Sequence, residues 1–139
     1  MPMPKPPPLD LSALPKLGPG NVRLLWVNDF YDAPLEAIVE HEGVRCIMLL
    51  HDQCDVTDDD LRWVVFRLTA AQLEEEQRWH DLFAEHVGEH WCFHREPHPR
   101  SSAAGKPTPE RFYDAYKTRD PLVLEPQSAI GWLDEVPQR

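Results

Sequence analysis

Between Leu35 and Leu50 two strand-length runs are separated by only two residues, Glu42 and Gly43. Leu35–His41 sets Leu35, Ala37 and Val39 against Glu36 and Glu40, the period-2 alternation of a half-exposed strand, with Ile38 as the exception. Val44–Leu50 (VRCIMLL) is apolar on both faces and reads as a buried strand. A parallel crossover needs about a dozen residues or more, so a two-residue connection forces the runs into an antiparallel hairpin. Gly43 then stands where a tight turn requires positive φ.

Neighbouring segments extend the same pattern. Val22–Asn28 (VRLLWVN) is β-rich and apolar on both faces, and reads as a buried strand. It runs into a loop, Asn28–Pro34, marked by its Asn and Asp content and closed by a proline that cannot donate to a ladder. His51–Asp60 is a polar loop, and Leu61–Leu68 (LRWVVFRL) is another apolar strand. Thr69 is a good N-cap for a helix over Ala70–Val87. Its Trp79, Leu82, Phe83, His86 and Val87 follow the i, i+3, i+4, i+7, i+8 stripe, and Gly88 is the expected stop. Glu89–Arg95 reads as a short strand or an extended tail. Glu110–Lys117 makes a short helix docked by Phe112, Tyr113 and Tyr116, with Pro109 near its first position. Ala129–Val136 reads as a last strand.

The expected fold is α+β: a mostly antiparallel four- to five-stranded sheet packed against one long helix, with a second short helix over the other face. The first twenty residues hold seven prolines and only scattered apolar residues, so 1–20 is expected to be a disordered tail outside the core. Residues 21–139 are expected to form a single domain with a mobile loop near 97–108, where prolines, serines and a glycine cluster.

Cys46, Cys54 and Cys92 are odd in number and lack CxxC spacing. The N-terminal stretch has no apolar core of a secretory signal, and no run approaches the roughly 20 apolar residues that span a bilayer. The expectation is a reduced, cytoplasmic protein. The net charge of −10 repels nucleic acid phosphates and anionic membranes and attracts basic partners.

Three segments could carry chemistry. Five of the seven histidines, His80, His86, His90, His94 and His98, fall within nineteen residues, with Cys92 among them. In an extended chain His90, Cys92 and His94 share one face, with Cα atoms roughly 6.6 Å apart, a spacing from which ligands converge on zinc. His86 or Asp52 would complete the shell. The structural alternative is that His86 packs on the helix stripe while the others are exposed polar residues, since neither a paired CxxC nor an H-E-x-x-H pattern is present. The loop with Asp55, Asp58, Asp59 and Asp60 lacks the glycine and spacing of a calcium loop. It reads as a solvated turn or as a docking surface for a basic partner. The loop with Asp29, Tyr31 and Asp32 sets carboxylates beside aromatics, as a small pocket or a self-capping Asx turn would. No glycine-rich phosphate loop or nucleophile elbow is present, and Cys46 reads as buried and inert.

The run Asn28-Asp29-Phe30-Tyr31-Asp32-Ala33-Pro34-Leu35 resembles the N-D-aromatic-aromatic-D-x-P-L pattern of a small bacterial family of unknown function. LEEEQRWHDLFAEHVGEH and the closing IGWLDE look like the same group. That resemblance implies a bacterial cytoplasmic protein with a sheet-plus-helix fold, and it transfers no catalytic residue. The sequence expectation for function is a small acidic protein that binds a basic macromolecular partner, of immunity, antitoxin or regulatory accessory type. Its contacts would be Asp29, Tyr31, Asp32, Asp55 and Asp58–Asp60, with no cofactor. The alternative is a zinc-binding module or metal-dependent enzyme using His86, His90, Cys92 and His94.

Overall fold

Short connections make each strand pair with the next. In the computed structural model, which describes residues 9–30, 33–51, 61–86 and 109–139, β1 (Val22–Phe30), β2 (Pro34–His41), β3 (Val44–Leu50), β4 (Trp63–Arg67) and β5 (Ala129–Leu133) form one antiparallel sheet in the order 1-2-3-4-5. Helix α1 (Ala70–His86) and helix α2 (Pro109–Tyr116) lie between β4 and β5 in sequence. The architecture is α+β. The chain divides into two compact units, a helical one over 70–122 and the sheet on either side of it in sequence.

The β2–β3 turn has φ of 52° at Glu42 and 79° at Gly43. Two positive φ values are what a type I′ hairpin turn requires, and they match the twist of the strands it joins. Glycine takes its position freely, whereas Glu42 holds a conformation that few side chains prefer.

Cross-strand register sorts the side chains onto two faces. Ala37, Val39, Cys46, Met48, Trp63, Val65 and Leu133 form one buried apolar cluster with Val22, Leu24 and Val27. The opposite face carries Ile38, Ile47, Leu49, Val64 and Phe66, all buried. Burial of both faces explains why β3 and β4 read as continuous apolar runs without alternation.

Strand β1 is longer than expected. Asp29 and Phe30, expected in the loop, belong to the strand: one bulge admits Asn28 as an extra residue of β1, and the next irregularity skips Leu35 of β2. Residues 31 and 32 lie outside the described residues.

Within the stretch expected to be a disordered tail, residues 14–17 lie along the edge of the sheet. Lys16 forms a parallel bridge with Trp132: the Trp132 N–H donates to the Pro15 carbonyl at 3.0 Å, and the Leu17 N–H donates to the Trp132 carbonyl at 2.7 Å. Leu17 packs against the sheet cluster. The prolines that suggested disorder are concentrated before Leu9, and Pro15 enters the bridge through its carbonyl, where a missing N–H costs nothing. At the other edge, the Leu24 N–H of β1 donates to the Gln138 carbonyl at 2.9 Å.

In the helical unit, α1 presents Trp79 and Phe83 to Phe112 and Tyr116 of α2. The sequence reading places the short helix over the sheet; its buried aromatics dock on α1. Trp79 meets Phe112 and Tyr116 edge-on at 6.0 and 5.3 Å, and Phe83 meets Phe112 at 5.4 Å. Such pairs contribute about 0.5–1.5 kcal/mol each beyond their area. Glu76 shares this buried stripe and is only 1 % exposed. Its partner is Arg119, whose guanidinium lies 2.7 Å from Glu76 Oε1 and stacks over Trp79 and Tyr116.

Removing one member of such a pair leaves a buried charge behind. Arg119→Met is expected to destabilise the helical unit by about 3–5 kcal/mol in urea denaturation followed at 222 nm, and combining it with Glu76→Leu to recover most of that loss. A loss below about 1 kcal/mol for the single substitution would show that the pair is not a structural anchor.

Candidate functional site

Among the residues expected to contact a partner, Asp29 is described. It is half-buried in β1 and sits directly across from Glu36 of β2, which is 2 % exposed. Two carboxyl-bearing residues are thus register partners at this end of the β1–β2 pair. The side-chain amide of the bulge residue Asn28 donates to Glu36 Oε1 at 3.2 Å. Below, the Trp63 indole N–H donates to the Pro34 carbonyl at 2.8 Å and fixes the start of β2. This is an acidic end to the sheet, and Tyr31 and Asp32 continue from it in sequence. Tyr31, Asp32, Asp55, Asp58, Asp59 and Asp60 lie outside the described residues.

Of the expected metal ligands, His86 is described. It ends α1 half-buried, and its Nδ1 is enclosed by protein without a hydrogen-bond partner. His90, Cys92 and His94 lie outside the described residues. Among the described residues no group of three or more His, Cys, Asp or Glu side chains could hold a metal ion. His51 is buried at the end of β3, 3.4 Å through Nε2 from the Leu9 carbonyl. Its backbone N–H donates to the Arg62 carbonyl. Cys46 is fully buried mid-strand, and burial pushes its thiol up to about 11 while the Arg67 charge pulls slightly downward. A thiol held protonated in this way is a poor nucleophile and a poor metal ligand.

The distribution of charge is more informative than any cleft. Lys16, Arg23, Arg78 and Arg119 each pair with a carboxylate: Asp134 at 2.7 Å, Glu40 at 3.4 Å, Glu75 at 2.8 Å and Glu76 at 2.7 Å. Arg45 lies over Trp26 at 5.6 Å, and Arg62 over Trp132 at 5.4 Å. Many of the described cations are thus engaged within the fold. On α1 Glu74, Asp81 and Glu85 are exposed and fall on one stripe, at spacings of seven and four. Arg78, which shares that stripe, is held by Glu75 and stacked on Trp79 at 4.6 Å.

Sequence reasoning did not single out the polar cluster around Trp132. Its indole N–H donates to the Leu14 carbonyl at 3.2 Å. Lys16 lies 5.6 Å from the ring on its way to Asp134. Next to it Gly131 faces Leu17: a Cβ there would stand 2.6 Å from Leu17 Cγ and 2.8 Å from the Pro15 carbonyl oxygen. The signal was present in the Ile-Gly-Trp run, since glycine inside a strand marks a close backbone approach.

No family model, curated protein or solved structure matches the chain. Among the described residues no helix is long and apolar enough to cross a membrane.

The hydrogen bond from Lys16 holds the Asp134 carboxyl below its ordinary value of 3.8. A depressed folded-state value means that the group stabilises the fold fully above its unfolded value, and that this contribution drains away as pH falls through the folded one. Asp134→Asn is therefore expected to lower the melting temperature at neutral pH, with the gap to wild type closing as the pH drops below 3.8. A gap of constant size into acid would contradict the assignment.

Proposed function

We propose that this chain is a small acidic binding protein of the bacterial cytoplasm that works by capturing a basic macromolecular partner, in the manner of an immunity, antitoxin or regulatory accessory protein. The observation that supports this reading is the imbalance of charge at the surface. The chain has 24 acidic against 14 basic side chains, an excess of ten carboxylates that no pairing within the chain can cancel. The exposed carboxylates Glu74, Asp81 and Glu85 contribute to that field, as do Asp29 and, by sequence, Asp55 and Asp58–Asp60. A field of one sign steers an oppositely charged partner and sets its orientation more than it sets bare affinity.

The test is a salt titration of the complex captured from the native host. Affinity is expected to fall by at least about tenfold between about 0.05 M and about 0.5 M salt, and neutralising Asp58, Asp59 and Asp60 together to Asn should weaken capture at low salt. An affinity unchanged across that range, or a captured partner of acidic composition, contradicts the reading.

A further inference from the structure

The segment 14–17 (Leu-Pro-Lys-Leu) lies on the outer edge of β5 as a strap. What holds it is small and local. Both outward main-chain groups of Trp132 bond to it, the indole N–H takes the Leu14 carbonyl, and the Lys16 ammonium reaches Asp134. That ion pair is well exposed, with side-chain exposures of 52 % and 29 %, and exposed pairs contribute about 0–1 kcal/mol. Leu17 fills the space above Gly131, a place that any side chain on residue 131 would take. The strap joins β1 through Gly18-Pro19-Gly20, where a short 3-10 turn begins.

The edge beneath the strap specifies its occupant. It offers a strand-pairing N–H and C=O at Trp132, an aliphatic slot over Gly131, an indole face and a carboxylate at Asp134. Sheet edges of this kind accept an added strand, with main-chain bonds giving affinity and alternate side chains giving specificity. We propose that the strap is releasable, and that the β5 edge it covers is the docking groove for an extended segment of the basic partner, in which Lys or Arg is followed by an aliphatic residue. This rests on the reading of the chain as a binder of basic partners, and it names where such a partner is gripped. In the free protein the Leu-Pro-Lys-Leu strap fills the groove as an internal substitute for the ligand.

The probe is a fluorescent peptide with the sequence of residues 9–21, titrated into the full chain. Wild type should bind it weakly. The variant Lys16→Gln/Leu17→Ser, with its own strap weakened, should bind at least about tenfold more tightly, and adding Asp134→Lys should reverse the gain. A folded variant with no gain overturns the proposal. If the variant does not fold, amide exchange on wild type decides. The Leu17 and Trp132 amides should exchange well ahead of the slowest amides of β3, and equal protection would mean that the strap opens only with the whole sheet, which also overturns the proposal. The peptide assay is independent of the host partner. Peptide binding without salt-sensitive capture sinks the functional reading alone, and the reverse sinks the groove alone.

Discussion

An open meander has two unpaired edges, and here the chain bonds back onto each of them, at Trp132 of β5 and at Leu24 of β1. β1 and β5 are the outer strands of the 1-2-3-4-5 sheet. The Pro15–Leu17 segment takes the free groups of Trp132 on one side, and Gln138 takes the Leu24 N–H on the other. Exposed strand edges are templates for unwanted pairing, so covering them protects a sheet whose inner strands are apolar on both faces. It also brings the segments flanking the sheet at either end of the sequence into its packing, Leu17 most directly.

The other organising theme is that basic side chains hold parts of the fold together, one of them buried and the others at the surface. Arg119 neutralises Glu76 inside the aromatic stack of α1 and α2, and Lys16 ties the strap to Asp134. Each pair takes up one carboxylate with its cation, so the net charge of −10 stands whatever the pairing. That excess of carboxylates is a matter of composition, and it sets the sign of the field around the protein.

The elements of secondary structure were legible because they rest on local rules. Two-residue spacing at Glu42-Gly43, apolar runs of strand length and the helical stripe through Trp79 and Phe83 led to strands and helices whose limits agree with the structure to within three residues at most. What escaped was set by non-local pairing. Asp29 looks like a loop residue in isolation, and only the bulged register against Ala37 and Glu36 keeps it in a strand. The strap escaped because the proline density of the first residues masks Leu14 and Leu17, whose partners are more than a hundred positions away. Glu76 falls on the buried stripe by its spacing from Trp79 and Phe83. Its partner Arg119 lies 43 residues on, and no periodicity links the two. The candidate site was legible mainly as charge: Asp29 is found opposite Glu36 at the sheet end, while the aspartate and histidine–cysteine segments lie outside the described residues.

The central claim, that the chain bonds back onto both of its own sheet edges, is tested most directly by NMR couplings transmitted through hydrogen bonds. The account predicts a coupling from the Leu17 amide to the Trp132 carbonyl and a second from the Leu24 amide to the Gln138 carbonyl in the free monomer. Absence of both couplings, with β2–β3 couplings intact in the same spectrum, would show open edges and contradict it.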